Sequence, residues 1–349
     1  MAQDGMDPQL LIFRRQYLQL FEPAFLAWPP KQLLRDPDVQ SWLYKHLFND
    51  EVHSYLPSGR YQLRVLKPLL AKIEKAIEDP DEDINDDLMK HLSLLMSSDL
   101  PSEGTAVQQR SYVTFTTLPP DISRSANTTS EPTLTLLERR NLISGSLTTG
   151  FRTWEAALHL GSYLLSANGE SLVKDKSVLE LGCGTGFLSI LCAKQLGASH
   201  VTATDGDQGV VEQLKDNLFL NDLDDGKKVY SSVLKWGHGL QGTWVEDDFE
   251  AHPYDTVIGA DITYDKAAIS ALVNTIRMLF LLRSTIQVVI AGAIRNAETF
   301  EHFRQACLRS KFNIEEVDFA AKDIHEQSSL FYAKAVPIMT MLIKSPDSA

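Results

Sequence analysis

Apolar residues recur near the 3.6-residue helical period over the first hundred positions. Leu10, Leu11, Phe13, Tyr17, Leu18, Leu20 and Phe21 form one set. Trp42, Leu43, Leu47 and Phe48 form a second, and Leu63, Leu66, Leu69, Leu70, Ile73 and Ile77 a third. The breaks fall at Trp28-Pro29-Pro30, Asp36-Pro37, Leu56-Pro57-Ser58-Gly59 and Asp79-Pro80, where proline and glycine interrupt helices. Residues 1–100 therefore read as an all-helical N-terminal module. The run Asp79–Asp87 holds six acidic residues in nine and reads as a solvated loop rather than a metal site.

The pattern changes over 101–148. Ser111–Leu118 is β-branched and aromatic, Pro119–Pro132 is polar and turn-rich, and Thr133–Leu137 is apolar again, which predicts a hairpin with a long loop acting as a linker. Thr153 then stands where it would cap a helix running to about Ala167.

From Lys176 strands alternate with helices. Ser177–Leu181, His200–Thr204, Tyr230–Leu234, Tyr254–Ala260 and Gln287–Ala291 read as strands, with helices over 187–196, 208–221, 266–283 and 297–310 between them. Asn313–Phe319 and Ile338–Ile343 are strands with no helix between, so the sheet should end in an antiparallel edge. The predicted class is α/β: a doubly wound, mostly parallel sheet over 149–349, preceded by the helical module.

Composition narrows the partners. Of 349 residues, 44% are hydrophobic, enough for a sizeable core, and the formal charge is −13. That balance disfavours DNA or RNA as a direct substrate, because phosphate binding needs surplus Lys and Arg. Cys183, Cys192 and Cys307 form no disulfide framework and no C-x-x-C pair, so no structural metal is expected. With no signal peptide and no membrane-length apolar run, a cytoplasmic monomer is the expectation.

The chemistry concentrates at Leu181-Gly182-Cys183-Gly184-Thr185-Gly186, three glycines at alternate positions between a strand and a helix. Glycine allows positive φ and lets a ligand lie against bare backbone. A dinucleotide fingerprint needs G-x-G-x-x-G, but the sixth position here is Phe187, and no Gly-Lys-Ser/Thr follows to cradle phosphate. G-x-G-x-G suits a ligand with an adenosine and an amino-acid tail but no phosphate, namely S-adenosylmethionine. Asp205, ending the next strand, can accept both ribose hydroxyls, with Asp207 a competitor for that role.

Glu180-Leu-Gly-Cys-Gly-Thr-Gly186 with Asp205 resembles the class I, seven-strand methyltransferases over roughly 150–349. Thr149-Gly150-Phe-Arg-Thr-Trp154-Glu-Ala-Ala and Ala260-Asp261-Ile-Thr-Tyr264 resemble motifs of the protein-lysine branch. There the tryptophan contacts the cofactor, and the Asp-x-x-Tyr motif follows the fourth strand. Trp236 matches the tryptophan that flanks adenine. The helical N-terminus, the paired strands and Ser144–Gly150 are similar in layout to the enzymes that methylate a lysine of translation elongation factor 2.

The resemblance implies a cofactor site of Trp154, Glu180, Gly182, Cys183, Gly184, Gly186, Asp205, Trp236 and Ala260, and a lysine site of Asp261 and Tyr264. Plainer readings stay open: core packing for Trp154 and Trp236, a strand-end cap for Asp261, packing for Tyr264. The alternatives in function are methylation of another protein or a small molecule, or a methyltransferase-like binding module without catalysis.

Overall fold

The computed structural model describes residues 6–79, 82–99, 109–124, 131–139 and 149–346. The chain divides into two compact units, Met1–Thr116 with Ile122–Ile143, and Thr117–Asp121 with Ser144–Ala349. The Ser144–Thr148 part of the layout resemblance and positions 125–130 of the long loop lie outside the described residues.

In the first unit the periodic segments are helices at Pro8–Leu18, Lys31–Leu34, Pro37–Leu47, Gly59–Glu74 and Asp86–Ser97. Leu10, Phe13, Tyr17, Leu43, Leu47, Leu66, Leu69 and Ile73 bury their inward faces in one cluster. The Asp36-Pro37 break proves to be a helix start: Asp36 Oδ1 accepts from Asp38 N at 2.9 Å, and Pro37 occupies the first turn, where its missing N–H costs nothing. The acidic run is not all loop. Asn85 caps the helix through Asp87 N and Leu88 N, which puts Asp86 and Asp87 at the positive end of the helix dipole.

Strands β1 (Ser111–Thr116) and β2 (Thr133–Glu138) pair antiparallel. They group with the helices in one unit. Within this unit Glu131 accepts from both Arg14 and Arg15. All but 2% of the Arg15 side chain and all but 4% of Glu131 are removed from water.

The second unit holds a seven-stranded sheet: β3 (Ser177–Leu181), β4 (His200–Asp205), β5 (Val229–Val233), β6 (Thr256–Ala260), β7 (Gln287–Ala293), β8 (Asn313–Glu316) and β9 (Ile338–Lys344). Its spatial order is β5-β4-β3-β6-β7-β9-β8. Five strands run parallel, while β9 is antiparallel to both β7 and β8, as the missing last helix requires. Every residue of β3 is buried, the signature of a strand covered on both faces.

Strand β3 pairs with β4 on one side and β6 on the other, so the chain order reverses there and a crevice opens beyond the carboxyl ends. One local expectation fails. Thr153 does not cap the following helix, which runs Glu155–Leu164, because its hydroxyl bonds Thr185 Oγ1 at 2.7 Å. The segment before β6 contains the helix Trp244–Ala251, capped by Thr243. Among the described residues no helix is long and apolar enough to cross a membrane.

Replacing Glu131 by Ala should remove the buried carboxylate that Arg14 and Arg15 share. Breaking such a buried pair costs about 3–5 kcal/mol. Chemical denaturation of the full chain checks this, and an unchanged midpoint would show that the ion group contributes nothing to stability.

Candidate active site

The turn after β3 is held by backbone geometry that only glycine accepts easily. Gly182, Gly184 and Gly186 have φ of 70°, 51° and 81°. A Cβ on Gly182 would stand 2.6 Å from Ile262 Cγ2, and one on Gly186 2.1 Å from Leu214 Cδ1. At Gly184 the near neighbour is the carbonyl oxygen of Gly150, 3.2 Å away. The segment Thr149-Gly150 therefore packs on the turn itself.

Several hydrogen bonds fix this arrangement. Cys183 N donates to Thr204 O at 2.8 Å, Asn217 Nδ2 donates to Thr185 O at 2.8 Å, and Thr204 Oγ1 donates to Glu180 O at 2.6 Å. Burial pushes the Cys183 thiol well above its ordinary pKa, which keeps it a neutral thiol at the turn.

The structure decides between the two aspartates after β4. Asp207 Oδ1 accepts from Gly209 N and Val210 N at 2.7 and 3.1 Å, so it is the N-cap of the helix Gln208–Phe219. Asp205 instead points its carboxylate at the turn. Oδ2 accepts from Gly184 N at 3.2 Å, and Oδ1 from Asp207 N at 3.0 Å. Burial raises its pKa, while those N–H bonds pull the other way.

Glu180 is tied to the helix that follows the turn. It is 2% exposed, and its Oε2 accepts from Ser189 N at 2.9 Å and from the Ser189 hydroxyl. That ties β3 to the first turn of the helix Phe187–Lys194. Burial pushes its pKa up to about 8, against the pull of the two Ser189 bonds.

Trp236 follows β5 and borders the turn, its Cζ2 3.7 Å from where a Gly182 Cβ would be. Its indole Nε1–H is buried with no hydrogen-bond partner. An orphaned buried donor costs about 1–3 kcal/mol, so a ligand with acceptor nitrogens or oxygens gains by meeting it. Bare glycine backbone, a carboxylate at the β4 end and an unpaired indole donor fit an adenosine with an amino-acid tail. Trp154 stands at the entry of Glu155–Leu164 and donates from Nε1 to Thr149 O at 3.0 Å, bracing the Thr149-Gly150 segment against Gly184.

Ala260 ends β6 and Asp261 follows it. Asp261 is in the left-handed region at φ 57°, a conformation that aspartate tolerates better than most residues and that marks sites under constraint. Its side chain is 10% exposed. Oδ1 accepts from Ala293 N at 3.2 Å, and Oδ2 from Arg295 Nη1 at 2.8 Å. Tyr264 is 63% exposed, which leaves it at the rim. Arg295 and Glu155 were not apparent from the sequence. Position was the available signal, since Arg295 follows Ile294 just past the end of β7, at the edge where α/β sheets bind ligands.

The chain resembles known proteins over most of its length. The profile described as lysine methyltransferase matches residues 133–307. Protein-lysine N-methyltransferase EFM3 of Chaetomium thermophilum is 48% identical over 333 residues, 95% of this chain and 96% of that protein. Protein-lysine N-methyltransferase EEF2KMT of Homo sapiens is 28% identical over 311 residues, 82% of this chain and 85% of its own. EEF1A lysine methyltransferase 3 of Mus musculus is 34% identical over 164 residues, 47% of this chain and 64% of its own.

Two outcomes follow from the geometry. Gly182→Ala should weaken S-adenosylmethionine binding at least about tenfold, because the left-handed backbone alone costs a Cβ about 1–2 kcal/mol before the Ile262 collision is added. Isothermal titration reads this, and unchanged affinity would remove the turn from the binding site.

Glu180→Gln tests the buried carboxyl. With its folded pKa near 8 and a reference value of 4.5, the native state holds the proton more tightly. Stability then falls as pH rises from about 4.5 to 8, since ionisation is easier in the unfolded chain. The Gln variant should lack this component, so its thermal midpoint should gain on the parent protein's across that window. A constant difference between the two would contradict the assignment.

Proposed function

The chain belongs to the lysine methyltransferase family, and from that membership we propose that it methylates a lysine of translation elongation factor 2, with Asp261 receiving the incoming side chain. The protein is an S-adenosylmethionine-dependent protein-lysine N-methyltransferase. The observation that carries the finer substrate assignment is the extent of the matches. A match of 311 residues to EEF2KMT is longer than segment 149–349 and has to run into the helical unit. The EEF1A enzyme matches over only 164 residues.

When bound, S-adenosylmethionine supplies a methyl group on a sulfonium. The chain's own part is placement and desolvation. In the proposed site Asp205, the Gly182–Gly186 backbone and the Trp236 indole hold the cofactor, with Cys183 and Ala260 contributing backbone and Trp154 a wall. Glu180 holds the turn from behind through Ser189.

A lysine of ordinary pKa, about 10.4, is about 3.4 units from neutrality at pH 7, so the free amine lies about 4.6 kcal/mol uphill. Asp261 offers the arriving ammonium a carboxylate with a nearly buried side chain at the end of β6, and desolvation there favours the neutral amine. The proton leaves to solvent at the exposed rim beside Tyr264. Methyl transfer is then an in-line displacement by the amine lone pair.

The test is a labelled methyl-transfer assay on lysate from cells lacking this protein, with mass spectrometry of the modified band. One band at the size of elongation factor 2, methylated on lysine, is expected. Label on another protein would keep the enzyme class and discard this substrate. Asp261→Ala should abolish transfer while keeping cofactor affinity, and full activity of that variant would refute the role given to Asp261.

A further inference from the structure

Arg295 lies where three chain segments meet at the sheet edge. Its Nη1 donates to Asp261 Oδ2 at 2.8 Å, and its Nη2 stands 3.6 Å from Glu155 Oε2. The same guanidinium lies 5.4 Å from the ring centroid of Trp154, whose ring also has Arg152 at 4.9 Å. Arg152 Nη2 in turn bonds Glu155 Oε1 at 3.4 Å. One cation thus contacts the carboxylate at the end of β6, the first acidic residue of the helix Glu155–Leu164, and an aromatic ring.

We propose that Arg295 is a positioning residue of the lysine site: its guanidinium bridges Asp261 and Glu155 across Trp154 and so holds the acceptor carboxylate in register with the cofactor turn. This rests on Asp261 as the group that receives the lysine. The bridge has a continuous physical basis. Asp261 is held in a left-handed backbone conformation, Trp154 anchors Thr149 through its indole, and Gly150 packs on Gly184 of the turn.

Only a planar fork can meet two carboxylates and stack on a ring at once; an ammonium is a point donor. The fork also places a fixed positive charge beside the position assigned to the substrate nitrogen. A neighbouring cation disfavours the protonated amine, which is the form that cannot react. The charged groups facing this point are Asp261 from the end of β6, Glu155 and Arg152 from the start of the helix Glu155–Leu164, and Arg295 itself.

The experiment uses the full chain with S-adenosylmethionine and elongation factor 2, comparing Arg295→Gln, Arg295→Lys and Asp261→Ala. The Arg295 side chain is 43% exposed, so these changes should leave the fold intact, and a thermal melt checks that. Arg295→Gln should lower kcat about 10- to 100-fold with cofactor affinity within about threefold, the loss expected when a reacting group is misplaced. Its kcat/KM against pH should need a higher pH to rise, because the amine beside Asp261 has lost the cation that favours its neutral form.

Arg295→Lys should keep the pH profile close to that of the parent while recovering only part of kcat. An active Asp261→Ala would overturn the reading of the lysine site itself. An inactive Asp261→Ala beside a fully active Arg295→Gln, or one with an unmoved pH profile, would overturn the positioning role alone.

Discussion

The left-handed turn between β3 and its helix is the constraint on which the rest of the site depends. Three residues there adopt positive φ, and two of them have no space for a Cβ without a collision against Ile262 or Leu214. Because the backbone is bare, neighbouring segments close in on it from several directions. Gly150 packs on Gly184, Asp205 bonds Gly184 N, and the Trp236 ring borders Gly182. Adding a side chain would do more than block a ligand. It would push apart the elements that define the pocket, because packed interiors do not yield by small continuous adjustments.

Behind the turn lies a buried carboxyl. Glu180 belongs to a strand with no exposed residue, and its bonds to Ser189 join that strand to the helix that follows. Its burial raises its pKa towards neutrality, so the support is sensitive to pH; burial raises the Asp205 pKa too, with backbone N–H groups pulling against it. The two carboxylates divide the work: one stabilises the turn from inside, the other faces the crevice.

The acceptor side is organised by charge rather than by bare backbone. Asp261, Glu155, Arg152 and Arg295 form two acids and two bases around Trp154, arranged so that each guanidinium touches both a carboxylate and the ring. Such a group is balanced within itself, each cation beside a carboxylate. The helical unit uses a related device at Glu131, where two arginines converge on one buried carboxylate. In both places an arginine pairs with a carboxylate remote in sequence, Arg15 with Glu131 and Arg295 with Asp261.

That remoteness marks the limit of what sequence reading reaches. Periodicity, glycine spacing and strand–helix alternation are local, so the α/β class, the mostly parallel sheet, the antiparallel edge and the turn Gly182–Gly186 were all legible from residues close together in the chain. Thr153 was misread as a cap because its partner, Thr185, is 32 positions away. Asp205 and Asp207 were indistinguishable until one was seen to face the turn and the other to cap a helix. Arg295, 34 residues from Asp261, carries no local pattern at all. The sequence alone determined which backbone shapes and ligand chemistry were possible, because those depend on side-chain size and φ preference. Only the tertiary structure decided which charges meet, because a salt bridge depends on distance in space and leaves no period along the chain.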